Sequence, residues 1–429
     1  MGTARTPFPK LFWTANTIEI FERFTYYGIY IGFGIYMESL GFSKGQLGPI
    51  QGIFLLLSYI IPVISGTFAD RFGFKKVLIV SYLAYLPSIL LLLYTKTFTG
   101  IALTMISIGL AAGIFKPLIS GTVRAVTDTS NKTLGFGIFY NMVNIGATFG
   151  PVIAAKLRVI SWNHAFIAAA ISIGFMFLIT LFFYKDPPRE IEGKTLRDKF
   201  KDLGVALSDI RFLVFLILLG LFFWAPFWAF FNIAPMYAES QLNTAVLYEN
   251  IRSFLGSGFA NFISKEDHGI RKVLGESISN SAYYIILLQV VVSSVIKRFR
   301  AIPVVTTGIM IIAAGYICMG LAMSLAPAWF LAGVFLFAVG EMTASPRIQE
   351  YITWLAPKEK AGLYMGTNFL AMGIGGSLSG FVLTPLYGYF KDRLHSETMW
   401  FFLAAYMIVS VILINLYIKL FGEFREVEK

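Results

Sequence analysis

Gly66-Thr-Phe-Ala-Asp70-Arg71-Phe-Gly73-Phe-Lys75-Lys76 is a short polar knot between two long apolar runs. The run before it covers 46–69 and the run after it 76–97. About 20 apolar residues wound as a helix cross the hydrocarbon core of a bilayer. The knot is therefore the turn of a membrane hairpin. Moving outward, the same alternation continues along the chain. Twelve spans are predicted at 12–39, 46–69, 76–97, 99–125, 134–158, 163–184, 211–238, 279–297, 302–325, 327–354, 361–387 and 397–421. The bulk numbers agree, since 57% of the 429 residues are hydrophobic and 14% are charged. A soluble domain carries about a quarter charged residues, so soluble enzymes and nucleic-acid binders are excluded. The net charge of +11 needs another explanation.

That explanation is orientation. Twelve spans put both ends on one side. With the termini inside, Lys and Arg on the inner side outnumber those on the outer side by more than two to one. Positive loops mark the cytoplasmic face, so both termini are expected there, most simply in a plasma or inner membrane. The densest stretch carries Lys185, Arg189, Lys194, Arg197, Lys199, Lys201 and Arg211, with Pro187 and Pro188. It divides the chain into an N-terminal six-helix bundle (1–184), a cytoplasmic linker (185–210) and a C-terminal six-helix bundle (211–429). An extracytoplasmic insert at about 239–278 holds Ile251, Phe254, Leu255, Phe259 and Phe262 near helical spacing. It reads as an amphipathic helix on the membrane surface or as a partial lid. Met1 to Lys10 is short and polar, so no removable leader is expected. Cys318, the single cysteine, lies inside a span and reads as a small core residue.

The halves repeat at an offset of about 227–230. Asp70-Arg71-Phe72 aligns with Lys297-Arg298-Phe299, Ala112 to Pro117 with Glu341 to Pro346, and Gly146-x-x-x-Gly150 with Gly376-x-x-x-Gly380. Parallel repeats of this kind build transporters whose site lies near the midplane between the halves. The glycine pairs permit close helix approach. The opening stretch also resembles the loop signature of the major facilitator superfamily, G-x-x-x-D-R-x-G-x-[KR]-[KR]. Gly66, Asp70, Arg71, Gly73, Lys75 and Lys76 then form a conformational latch, in which Asp70 accepts charge-assisted hydrogen bonds or meets a helix N-terminus. The alternative is that Arg71, Lys75 and Lys76 are only orientation anchors. The resemblance implies an all-α membrane protein of twelve transmembrane helices in two six-helix halves, working by alternating access.

Ionisable residues inside spans are costly and mark function. Glu19, Glu22 and Arg23 lie in the first span, Lys116 in the fourth, and Glu341 and Arg347 in the tenth. At 100° per residue Glu19, Glu22, Arg23, Tyr26, Tyr27 and Tyr30 share one stripe. Glu19 and Arg23 pair at i,i+4, and Lys116 is the obvious further partner. Two carboxylates beside two cations titrate together. Movement of a cation then loads or releases a proton, unless the network is a static salt bridge. Arg347 reads as a snorkelling anchor or as the partner of Glu350 in an inner gate.

These residues carry a second resemblance. Glu19-Ile-Phe-Glu22-Arg23-Phe24-Thr-Tyr26-Tyr27-Gly28 resembles the E-x-x-E-R-F-x-Y-Y-G motif of the proton-dependent oligopeptide transporter family. Gly113-Ile-Phe-Lys116-Pro117, the fifth-span stretch Phe136 to Gly146, and Gly340-Glu341 with Ser345-Pro346 and Leu355-Ala-Pro-Lys358 resemble its later motifs. The resemblance implies that Glu19, Glu22, Arg23 and Lys116 couple protons. Tyr26, Tyr27, Tyr30, Asn144 and Glu341 would line the substrate pocket. The family's tenth-helix glutamate holds a peptide's amino end. Two positions depart from the pattern: Tyr30 replaces an expected arginine, and Phe223-Trp224-Ala-Pro-Phe-Trp228 has an aromatic where a gate glutamate is usual. Trp224 and Trp228, one turn apart, would favour a bulky apolar cargo. The expected function is proton symport of peptides or peptide-like solutes by a monomer, without nucleic acid, metal or cofactor, the proton being the coupling ion. The alternative is a proton-driven exporter of amphiphilic drugs or lipids. His164, His268 and His395 lie at or beyond span ends and form no metal or nucleophile motif, so no enzyme is expected.

Overall fold

The computed structural model describes residues 7–128, 131–187, 196–354 and 361–422. Pro188, Arg189 and Lys194 of the linker and the Leu355-Ala-Pro-Lys358 stretch lie outside them. The first six spans are α1 (Lys10–Ser39), α2 (Lys44–Phe72), α3 (Phe74–Leu92), α4 (Phe98–Ala125), α5 (Lys132–Ile160) and α6 (Trp162–Phe182). A linker helix, α7 (Leu196–Leu207), follows. No helix is predicted there from the sequence; α7 buries Leu203 and Ala206 and exposes Arg197, Asp198 and Lys201 together with Phe200 and Val205. The seventh span joins α8 (Ile210–Leu218) and α9 (Ala225–Gln241) through a π-helical turn at Leu219–Trp224. The insert comprises α10 (Thr244–Leu255), α11 (Ser257–Phe262), a hairpin of β1 (Ser264–Asp267) and β2 (Ile270–Val273), and α12 (Gly275–Ile278). The last spans are α13 (Ala282–Ile296), α14 (Ala301–Leu321), α15 (Ala328–Trp354), then α16 (Ala361–Leu378) joined by a π turn to α17 (Thr384–Arg393), and α18 (Thr398–Phe421). Eleven of the described helices are long and apolar enough to cross a membrane. The charged, 30-residue α1 is the twelfth span.

Local chemistry sets the breaks. Gly73 has φ 99°, a conformation that L side chains resist, and it separates α2 from α3. Thr97 accepts from Gly100 N at 3.3 Å and Asp209 from Arg211 N at 2.9 Å, so α4 and α8 begin on side-chain caps. The π turns stand just before Pro226 and Pro385, whose missing N–H disrupts the ladder. Tyrosines from neighbouring helices take up carbonyls there: Tyr316 donates to Pro226 O at 2.6 Å and Tyr406 to Leu221 O at 3.0 Å.

The insert differs from the expected single amphipathic helix. Gly256, at φ 86°, breaks the run, so Ile251 is buried while Phe254, Leu255, Phe259 and Phe262 are exposed. The hairpin pairs Ser264 with Val273 and Asp267 with Ile270. Its two-residue loop, His268-Gly269, has φ 50° and 78°, the left-handed pair that suits the twist of a tight hairpin. This hairpin is the one departure from an all-helical chain among the described residues.

The chain forms two compact units, Met1–Tyr36 with Leu57–Leu196, and Met37–Leu56 with Arg197–Lys429. In the first unit a Cβ on Gly146 would lie 2.5 Å from Arg23 Cβ, so α5 crosses α1 in close contact. Ser172 donates to Phe21 O at 3.0 Å and Ser81 to Ala111 O at 2.8 Å, tying α6 to α1 and α3 to α4. In the second unit Gly308 and Gly315 of α14 face Gly340 and Gly333 of α15 at backbone distance. Thr384 Oγ1 donates to Gln51 Oε1 at 2.9 Å, binding the start of α2 into this unit.

Candidate functional site

The charged stripe of α1 is buried in the first unit. Glu19 is 1% exposed, Glu22 0% and Arg23 8%. Arg23 Nε donates to Glu19 Oε1 at 2.6 Å and lies 3.3 Å from Glu22 Oε2. One guanidinium therefore bridges two carboxylates. Tyr85 of α3 donates its hydroxyl to Glu22 Oε1 at 3.0 Å. Among the described residues Glu19 Oε2 and Glu22 Oε2 accept no hydrogen bond. Buried charges persist in such places only when paired; Glu22 has a partner at each oxygen, whereas Glu19 is paired through Oε1 alone among the described residues.

Lys116 sits elsewhere than expected. Among the described residues it forms no ion pair with Glu19 or Glu22. Its Nζ donates to Ser58 O at 3.2 Å and lies 4.0 Å from the Tyr59 ring centre and 4.7 Å from that of Tyr26. The Arg23 guanidinium lies 5.8 Å from the same Tyr26 ring. Tyr26 thus lies within reach of both cations, and cation–π attraction holds Lys116 without neutralising it. The helix path explains the difference: Gly113, one turn before Lys116, brings α4 onto the Leu57 backbone of α2, which carries Ser58 and Tyr59 to the ammonium.

The remaining predicted residues divide between the units. In the first, Tyr26 stacks on Tyr30 at 6.0 Å and meets Tyr27 edge-on at 5.1 Å. Asn144 is buried and donates to Tyr140 O of its own helix at 2.8 Å. In the second, Ser281 Oγ stands 3.5 Å from Glu341 Oε2, and among the described residues Glu341 forms no ion pair. Trp224 and Trp228 are 1% and 3% exposed and belong to an aromatic core. Phe227 meets Trp224 at 5.2 Å and Trp228 at 5.9 Å, and Phe337 stacks on Phe230 at 3.9 Å. Arg347 is bonded to Glu350 at 2.5 Å and donates to Ile296 O at 3.0 Å and to Phe299 O. The pair with Glu350 is the one expected from the sequence, and the two carbonyl contacts join α15 to the end of α13.

In the opening motif Lys75 does most. Its backbone N–H donates to Asp186 Oδ1 at 2.7 Å and its ammonium to Leu181 O at 2.8 Å. The start of α3 and the end of α6 therefore cap one another. Arg71 lies over the Phe72 ring at 5.3 Å, Lys76 is exposed, and Gly66 faces open space. Sequence reading missed Asp186, Tyr85, Tyr59 and Ser58. A signal existed for Tyr85, because Ser81, Tyr82, Tyr85 and Ser88 form a polar stripe at helical spacing on α3, all buried.

The model of the Major Facilitator Superfamily matches residues 16–380. Quinolone resistance protein NorA of Staphylococcus aureus is 24% identical over 174 residues. That alignment takes in 39% of this chain and 45% of NorA, so the chain spans less than half the length of that relative. A peptide transporter POT solved with sulfate superposes with a TM-score of 0.77 at 19% identity, covering 99% of this chain and 98% of that one. A POT family transporter solved with 5-aminolevulinic acid gives 0.75 at 21%, covering 95% and 96%.

Proposed function

Because the chain belongs to the Major Facilitator Superfamily, we propose that it is a proton-coupled symporter of peptides or peptide-like solutes, working by alternating access. It is an integral multi-pass membrane protein and a transporter rather than an enzyme. The observation that carries the coupling is the pair of buried carboxylates, Glu19 and Glu22, that share one guanidinium, with Glu19 Oε2 accepting no hydrogen bond among the described residues. A proton placed on either carboxylate removes a charge that Arg23 must otherwise balance. Arg23 then relaxes toward the other carboxylate, and Lys116 gains or loses a nearby anion while its tyrosine seat holds it. Each protonation state favours a different arrangement of α1 and α4, and that is the element a proton gradient biases.

Glu341 supports an aminated cargo, since among the described residues it is an acid without an ion partner. The two POT structures support a peptide-like solute and NorA an amphiphilic one. Import with both termini in the cytoplasm, action as a monomer and freedom from any resident cofactor complete the proposal. Export of amphiphilic drugs or lipids is the second reading, favoured by tyrosine in place of arginine at position 30.

Reconstituted protein with an imposed pH gradient is expected to accumulate labelled dipeptide. Glu22→Gln is expected to abolish accumulation and keep counterflow exchange. Full gradient-driven uptake by Glu22→Gln defeats the assignment. A ligand that binds the folded state raises apparent stability by mass action. Stabilisation by di- and tripeptides supports symport, and stabilisation by drugs alone moves the reading to export.

A further inference from the structure

Residues 254–262 of the insert expose four large apolar side chains: Phe254 at 87%, Leu255 at 55%, Phe259 at 38% and Phe262 at 43%. Their helices are already packed without them. The inner face of α10 buries Thr244, Leu247, Tyr248 and Ile251, and Tyr248 donates to Asn261 Oδ1 at 2.7 Å, fastening α11. The base of the insert is also fixed. Glu239, near the end of α9, takes Lys265 Nζ at 2.7 Å and Gly275 N at 2.9 Å. The apolar knuckle is therefore held at a set height at the end of two membrane spans. Phe259 meets Tyr283, the second residue of α13, edge-on at 6.4 Å. Below it α13 exposes Leu287, Val290 and Val291 at 73%, 72% and 59%, the row that a span turns to acyl chains.

We infer that the partner of this knuckle is the lipid surface itself. Phe254, Leu255, Phe259 and Phe262 enter the interfacial layer of the leaflet on the insert's side, as one end of the lipid-facing row of α13. Phe and Leu on a folded, surface-lying element partition to that depth. The charges of the insert do not call for a charged macromolecule. Lys272 pairs with Asp267 at 2.9 Å and Arg271 with Glu266 at 3.6 Å along the hairpin. Hydrogen bonding and charge from Lys272 hold the Asp267 carboxyl below its usual range. The hairpin tip at His268, 97% exposed, stays in water. The insert is thereby a membrane anchor that sets where α9 and α13 emerge, whichever cargo the transporter carries.

The test uses full-length protein in phosphatidylcholine vesicles, with Cys318→Ser as background. Nitroxide labels go separately on Phe254→Cys, Phe262→Cys, Leu287→Cys and His268→Cys. Labels at 254 and 262 are expected to collide with oxygen more than with a water-soluble nickel chelate, as at 287. The ratio should invert at 268. A label at 254 that behaves like 268 overturns the anchor. So does broadening at 254 that disappears on dilution with unlabelled protein, which would assign the knuckle to a second copy. The two knuckle labels are independent, so one misfolded variant leaves the test intact.

Discussion

In the first unit Arg23 and Lys116 are distributed among two carboxylates, a backbone carbonyl and two tyrosine rings. In the second, Trp224, Trp228 and Phe337 each meet the Phe227 ring, and Phe230 stacks on Phe337. Both clusters are buried inside spans, yet they respond to perturbation differently. A charge cluster of two carboxylates and two cations has several near-equal pairings, and adding a proton changes which is best. A stack of rings has one close-packed arrangement and loses contact energy in any other. One region is built to change state and the other to hold its shape.

The largest break of that contrast comes from Phe337→Ala. Removing a buried ring from the stack costs about 3–5 kcal/mol. The thermal unfolding midpoint in detergent should fall steeply, while gradient-driven uptake per folded molecule is kept. Uncoupled uptake by this variant would erase the division between the clusters. A smaller effect is expected for Gly146→Ala. The new Cβ meets Arg23 Cβ and Ile20 O at 2.5 Å, an overpacking worth about 1–3 kcal/mol. Because Arg23 itself must shift, the pH profile of uptake should flatten as well. Gly174→Ala, in open space, is the matched control and should change neither readout. The smallest loss is expected for Tyr59→Leu, which removes one cation–π contact of about 0.5–2 kcal/mol. Its unfolding midpoint should barely move, whereas the pH at half-maximal uptake should shift. A shifted midpoint with an unchanged pH profile would make Tyr59 a packing residue only.

Much of the charged site was legible in the primary structure. Glu19 and Arg23 pair because i,i+4 neighbours on a helix have no choice but to face one another, and the tyrosines of the stripe follow by the same period. The Arg347–Glu350 pair is local in the same way. The aromatic run at 222–231 was legible as a run but not as a core, since periodicity alone does not separate a lipid-facing ring from one covered by a neighbouring helix. The break of the insert at Gly256 escaped because one glycine inside a helical pattern is ordinarily tolerated. The seat of Lys116 escaped because Ser58 and Tyr59 stand 58 and 57 positions earlier in the chain.

By itself the sequence determined the membrane class, the span number, the repeat and the residues that bear charge in the bilayer. Each of these depends on counting apolar residues and on the period of one helix. Only the tertiary structure decided that Tyr85 binds Glu22, that Lys116 rests on tyrosine rings, that Lys75 and Asp186 cap one another, and that Trp224 is core. Those choices depend on how each helix is rotated about its axis. That rotation is set by neighbouring helices and by glycines that let backbones meet, a property of pairs of helices that no single helix carries in its own pattern.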